Sequence, residues 1–234
     1  MIPLRDNVPR RTYPFANNLL LLANVGAFVL ELARGPALEE FLTRWVFIPD
    51  RLFHPLAWGV SPLASLLTVF SAMFLHGGFL HLGGNLLYLW IFGDNVEDAL
   101  GHGRYVVFYL ASGVAAAVLQ TLLNPGSTLP NIGASGAIAG VLGGYFVLYP
   151  RARVVTLVPL FFLFPLVEIP AGVYLLFWFV MQFWMGSANL AAAGRRAESG
   201  GVAWWAHVGG FVAGIVLVVA MRPRRRPAAR YRIL

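Results

Sequence analysis

The 234 residues are 59% hydrophobic and only 12% charged, against about a quarter charged in a typical soluble domain, so a water-soluble globule is excluded. The absence of cysteine rules out disulfides and thiolate metal sites. The net charge of +7 is carried by arginine alone and is concentrated in the tails, which fits juxtamembrane residues that set topology and touch anionic lipid, not a nucleic-acid surface.

A span needs about 20 mostly apolar residues. Residues 1–14 are read as a cytoplasmic tail and the first span as roughly 15–33, uncleaved because no small-residue cleavage site closes it. From Arg34 to Gly78 polar and apolar residues alternate, which predicts a structured loop dipping into the interface. Further spans are predicted at roughly 79–99, 104–123, 134–150, 168–186 and 203–221. The stretch 154–167 is apolar but broken by Pro159 and Pro165; it reads as an interfacial loop or as the start of the fifth span. Residues 222–234 are read as a basic cytoplasmic tail. The expectation is an all-α polytopic membrane protein with a six-span membrane domain over 15–221 and a long structured first outer loop. Arg5, Arg10 and Arg11 before the first span, Arg151 and Arg153 in a turn, and Arg222 with Arg224–Arg226 after the last place both termini in the cytoplasm; Arg195 and Arg196 dissent.

Polar groups inside a bilayer are costly and are functional candidates by default. Ser135 opens the fourth span, His81 and Asn85 sit near the start of the second, and His207 near the start of the sixth, so all four are expected at one depth near the outer face. His81 and Asn85, four apart, share a helix face and can both donate hydrogen bonds, as an oxyanion site or as a polar clamp between helices. Gly136, Gly140 and Gly144 form a small-residue stripe in the fourth span. Ala206, Gly210 and Gly214 form another in the sixth. Two such stripes face to face let backbones approach closely, and Ser135 and His207, each at the outer end of its stripe, then come within hydrogen-bond reach. Taken singly, the serine reads as a residue back-bonded to its own helix and the histidine as part of a packed network. Together with two donors on a third helix they make the parts list for acyl transfer. No Asp matches that depth.

These residues resemble the rhomboid intramembrane serine proteases over nearly the whole chain. "GASG" (133–136) is similar to the family's G-x-S-G and "AHVGGFVAG" to its A-H-x-x-G-x-x-x-G. "HGGFLHLGGN" (76–85) matches its histidine, histidine, asparagine spacing. The resemblance implies a serine-type endopeptidase that hydrolyses peptide bonds in or near transmembrane segments. It implies Ser135 as nucleophile and His207 as general base, with His81, Asn85 and the Ser135 N–H as oxyanion hole. Gly133, Gly136, Gly140, Gly210, Gly214, His76 and Glu97 would be supporting residues, Glu97 for the outer loop–helix region. The implied partners are transmembrane protein substrates and the lipid bilayer, with no cofactor, metal or nucleic acid, in a bacterial inner membrane. Two departures stand out. The first-loop Trp-Arg of many rhomboids is replaced near Leu67 and Thr68, and the aromatic that some members carry four residues after the nucleophile is Ala139, so His207 needs another packing partner. Competing readings are a catalytically dead relative that escorts membrane proteins, against which both Ser135 and His207 stand, and a haem or metal protein built on His54, His76, His81, His102 and His207.

Overall fold

The computed structural model describes residues 1–160, 162–193 and 203–221. The loop holding Arg195 and Arg196 and the basic tail 222–234 lie outside the described residues. The long helices are α1 (Phe15–Leu32), α5 (Phe79–Leu100), α6 (His102–Leu123), α7 (Ser135–Leu148), α8 (Ala171–Ala193) and α9 (Trp204–Met221). Three short ones, α2 (Leu38–Trp45), α3 (Pro49–Phe53) and α4 (Pro62–Ser71), fold the segment between α1 and α5.

Among the described residues, four helices are long and apolar enough to cross a membrane: α1, α6, α8 and α9. The other two expected spans fall short for different reasons. α5 is 22 residues long but ends in Asp94, Glu97 and Asp98. α7 has 14 residues, about 21 Å of rise against about 30 Å of hydrocarbon. Every residue of α7 from Gly136 to Tyr145 is buried, so protein, not lipid, satisfies its surroundings.

Glycine sets how closely α7 sits among its neighbours. A Cβ on Gly210 would collide with the Gly136 carbonyl oxygen, and one on Gly214 with that of Gly140. The missing side chains of Gly136 and Gly140 make room instead for α6, where Ala116 and Ser112 stand. The glycines of α7 thus serve two neighbours at once, offering carbonyls to α9 and bare Cα atoms to α6.

The fold is the expected, mostly helical membrane bundle, with one small sheet added to it. A three-stranded antiparallel sheet, ordered β1-β2-β3, joins β1 (Ile2–Asp6), β2 (Arg153–Leu157) and β3 (Leu166–Pro170). Ile2 pairs with Leu157 and Asp6 with Val154, while Arg153 pairs with Pro170 and Leu157 with Leu166. The stretch read as an interfacial loop or the start of a span is therefore a hairpin, and α8 starts at Ala171, not near 168. The "VVT" run of β2 favours strand, and Pro159, Pro165 and Pro170 deny a helix its backbone donors. The hairpin tip is apolar and open, with Phe162 96% exposed. Residues 1–14 are likewise no free tail. Asp6 accepts hydrogen bonds from Asn95 Nδ2 (2.9 Å) and from the Tyr145 hydroxyl, and Asp98 accepts from Thr12 N (2.9 Å).

Glu97 lies at the other end of α5 from His81, sixteen residues or about 24 Å along the helix, away from the segment that joins α1 to α5. It is 1% exposed and accepts hydrogen bonds from Ala16 N (2.9 Å) and Asn17 N (2.6 Å), and it contacts His102. It thus caps α1, whose own N-cap, Pro14, offers no side-chain acceptor. Glu97→Ala is expected to destabilise the protein by about 2–3 kcal/mol, since two buried donors lose their acceptor. Thermal unfolding in detergent measures it, and an unchanged midpoint would mean that water replaces the carboxylate.

The first loop is anchored by Arg51, in place of a Trp-Arg pair. Its buried guanidinium donates to the carbonyls of Thr43 (2.7 Å) and Val46. Ser65 Oγ in turn donates to the Arg51 carbonyl at 2.9 Å, which ties α4 to α3. Asp50 accepts from Trp58 Nε1 at 2.8 Å, and this bond together with the His54 contact holds its carboxyl below the usual range.

Candidate active site

The turn before Ser135 is fixed by the first loop. Phe47 and Asn131 exchange backbone hydrogen bonds (3.2 and 2.7 Å), and Gly133 N–H donates to the Ala72 carbonyl at 2.9 Å. Gly133 has φ +120°, a region L side chains rarely adopt. A Cβ there would lie 2.7 Å from His81 Nε2 and 3.6 Å from Asn85 Nδ2. The glycine thus lets the backbone lie against the two donors of α5 just before the chain turns into α7. Ser135 follows as the first residue of α7, where backbone N–H groups have no partner within the helix.

His81 and Asn85 face this turn from the first two turns of α5. Gly77 N–H donates to His81 Nδ1 at 3.3 Å, so the neutral ring carries its proton on Nε2, the nitrogen nearest Gly133. Asn85 is 8% exposed, and its Nδ2 has no hydrogen-bond partner among the described residues. A buried unpaired donor costs about 1–3 kcal/mol, and fixed unspent donors are what a developing oxyanion needs. His76 shapes the approach to α5. Its N–H donates to Glu31 of α1 (3.0 Å) and its Nδ1–H to the Phe74 carbonyl (3.0 Å), and its ring packs edge-on against His81 with centroids 5.2 Å apart.

His207 sits in the first turn of α9. That turn is held to α6 by Gln120, whose Oε1 accepts from Ala206 N at 3.2 Å. His207 Nε2 lies 2.8 Å from Ser135 Oγ, and Nδ1 lies 2.7 Å from Gln182 Oε1 on α8. An amide oxygen can only accept, so Nδ1 carries the proton and Nε2 turns a lone pair to the serine hydroxyl. The aromatic partner of His207 comes from α8, where the Trp178 ring lies 5.8 Å away, centroid to centroid, at 37°. Ala139, where some rhomboids place an aromatic, is fully buried and packs where α7 meets Gly210, with no room for a ring.

A cavity of about 50 Å³ reaches Ser135 between α4, α6 and α9, lined by Met73, Ala116, Gln120 and Ala206 among others, which is room for one or a few waters. A larger cavity of about 910 Å³ is formed by the first-loop helices around Trp45, Arg51 and Trp58 and includes neither Ser135 nor His207. His54 and His102 are engaged elsewhere, with Asp50 and Glu97 respectively.

The structure therefore brings together Ser135, His207, His81, Asn85, Gly133 and His76, and leaves Glu97 at the far end of α5. Sequence reasoning missed Gln182, Trp178 and Gln120. The signal for Gln182 was present, as an amide in the middle of the apolar helix α8 "AGVYLLFWFVMQFWMGSANLAAA".

The chain is 28% identical over 240 residues to "Rhomboid protein 1, mitochondrial" of Saccharomyces cerevisiae, covering 97% of this chain and 62% of that relative. It is 31% identical over 139 residues to "Rhomboid protease GluP" of Bacillus subtilis (59% of this chain, 24% of the relative). It is 30% identical over 145 residues to "Presenilin-associated rhomboid-like protein, mitochondrial" of Bos taurus (61% and 35%). The chain thus spans less than two thirds of each relative's length. With mitochondrial proteins among them, these relatives do not support assignment to a bacterial inner membrane. The family model of the Rhomboid domain matches residues 63–224. With that match over more than half its length, and with four membrane-length apolar helices, the chain belongs to the rhomboid family and is an integral, multi-pass membrane protein.

Proposed function

We propose that this protein is an intramembrane serine endopeptidase that cleaves peptide bonds in or near transmembrane segments of other proteins. The observation that carries the reading is the 2.8 Å contact between His207 Nε2 and Ser135 Oγ, with Nε2 free to accept. Ser135 Oγ attacks the scissile carbonyl while its proton passes to His207 Nε2. The oxyanion lodges against Asn85 Nδ2–H, His81 Nε2–H and the Ser135 N–H. His207 then returns the proton to the leaving amine, and water cleaves the acyl-enzyme by the same path. A helical substrate must first unwind locally, because its carbonyls are otherwise hydrogen-bonded within the bilayer.

A fluorophosphonate probe tests this reading. Of Ser61, Ser65, Ser71, Ser112, Ser127, Ser135, Ser187 and Ser199, only Ser135 should be labelled, because labelling needs a hydroxyl with a base beside it. Peptide mapping of the labelled protein reads the outcome. An intact but unlabelled Ser135 would favour a binding role over catalysis.

In the membrane the proposal has six spans within 15–221, with α5 and α7 crossing alongside the four longer helices, and both termini in the cytoplasm. The sheet, with Arg151 and Arg153 at its base, then lies on the side of the termini, and Ser135 near the opposite face. Reporter fusions after Arg11 and after Arg222 should both report the cytoplasmic side. Opposite answers would remove the even span count.

A further inference from the structure

We propose that Gln182 is a positioning residue for His207, its amide oxygen selecting the imidazole tautomer and ring orientation that leave Nε2 free to take the Ser135 proton. This inference rests on the reading of Ser135 and His207 as nucleophile and base.

A neutral imidazole has one N–H, which can sit on either nitrogen. With the proton on Nε2, the ring would donate to Ser135 Oγ and could not deprotonate it. Gln182 Oε1, 2.7 Å from Nδ1, makes the other tautomer the hydrogen-bonded one. Both side chains are buried, Gln182 8% and His207 9% exposed, so water does not compete strongly for either. The placement follows from helix geometry. Trp178, Gln182 and Gly186 are spaced by four along α8 and share one face. At Gly186 the two helices come close, since a Cβ there would lie 3.1 Å from the Trp205 ring of α9. One turn earlier Gln182 meets Nδ1, and one turn before that Trp178 packs on the ring.

An amide suits this place better than a carboxylate would. A carboxylate among Trp178, Trp204 and the apolar faces of α8 and α9 would have to be desolvated in the resting enzyme. The amide supplies the same acceptor geometry without a charge. Among the described residues, the groups facing His207 are Ser135 from α7, Gln182 and Trp178 from α8, Trp204 from its own turn, and His81 across the site on α5, which is the other ionisable one of these.

A plain clamp between α8 and α9 would hold the helices whatever the tautomer, so the test reads tautomer and labelling rate, on the full chain in detergent. In protein with ¹⁵N-labelled histidine, His207 should show a protonated Nδ1 and an unprotonated Nε2 above its acid limb. In Gln182→Leu the two forms should mix, and the rate of Ser135 labelling by a fluorophosphonate should fall about tenfold or more, the loss of one good hydrogen bond. Gln182→Glu restores an acceptor oxygen. Its labelling rate should return to within about threefold of wild type, because the acceptor again selects the Nδ1–H tautomer. Gln182→Leu labelled within twofold of wild type, Gln182→Glu labelled no faster than Gln182→Leu, or a wild-type His207 protonated on Nε2 would each overturn the inference. Should Gln182→Leu fail to fold, the wild-type tautomer and that of Gln182→Glu still decide. Wild-type Ser135 that does not label sinks the parent reading, whereas Ser135 that labels equally in all variants sinks only the role of Gln182.

Discussion

Ser135→Ala should abolish cleavage of a reporter transmembrane substrate while leaving the fold in place. The hydroxyl is the attacking group in the proposed reaction, so no slower version of the same path remains. Ser135 is only half-buried and, among the described residues, its hydroxyl bonds to His207 alone, so the stability change should stay within about 1 kcal/mol. His207→Ala should cost about 10⁴-fold or more in kcat, because an unassisted serine hydroxyl stays protonated near neutral pH. It also strands the Gln182 oxygen and unsupports Trp178, so an added stability loss of about 1–3 kcal/mol is expected. Asn85→Ala is the graded case. His81 and the Ser135 N–H remain, and losing one donor typically costs about 10²–10³ in kcat. Cleavage assays paired with thermal unfolding separate the three. A Ser135→Ala protein that still cut the reporter, with contaminating proteases excluded, would return the serine to the role of a small residue on a packed helix.

Gly214→Val should damage both stability and activity. Its Cβ would run into the Gly140 carbonyl oxygen, which is backbone and cannot rotate away. The helices must separate, at a cost of about 1–3 kcal/mol or more for an overpacked contact. Because His207 stands two turns up the same helix, α9 carries the proposed base with it. A displacement of about 1 Å at the reacting atoms is worth about a hundredfold in rate. Gly26 is the control. A Cβ there meets nothing within 4 Å, so Gly26→Ala in α1 should be neutral or stabilising by up to about 1 kcal/mol. Equal melting points and equal rates for Gly214→Val and wild type would show that α7 and α9 do not touch as described.

The site was more legible in the sequence than the fold around it. Ser135, His81, Asn85 and His207 stand out because each is a polar group in an apolar run, and span order alone puts them at one depth. Gln182 has the same signature but falls mid-span, with no partner visible at its own depth until the tilt and approach of α8 are known. The sheet was missed for a different reason. Its strands are five residues each, and β1 and β2 are far apart in the chain, so hydropathy windows tuned to about 20 residues average them away. Membrane patterning also misleads at α7. Its glycines read as a helix–helix stripe, which they are, but nothing local reveals that the helix is enclosed on all sides and too short to span by itself. Glu97 was placed by resemblance on the outer side. Counting residues along α5 from His81 already puts it about 24 Å away, at the opposite end of the helix.

The pairing of Ile2 with Leu157 has a consequence for how the chain is made. β1 is made before α1, yet its partner strand is synthesised only after α1, α5, α6 and α7. Until then the edge that β1 offers β2 stays open, and closing so long a loop is the slow kind of contact. When β2 arrives, a single event pairs the strands and delivers Asp6 to Tyr145 and Asn95 at the ends of α7 and α5. β1 thereby acts as a late fastening of the bundle, and the far end of the helix that carries Ser135 is secured by a strand made well before it.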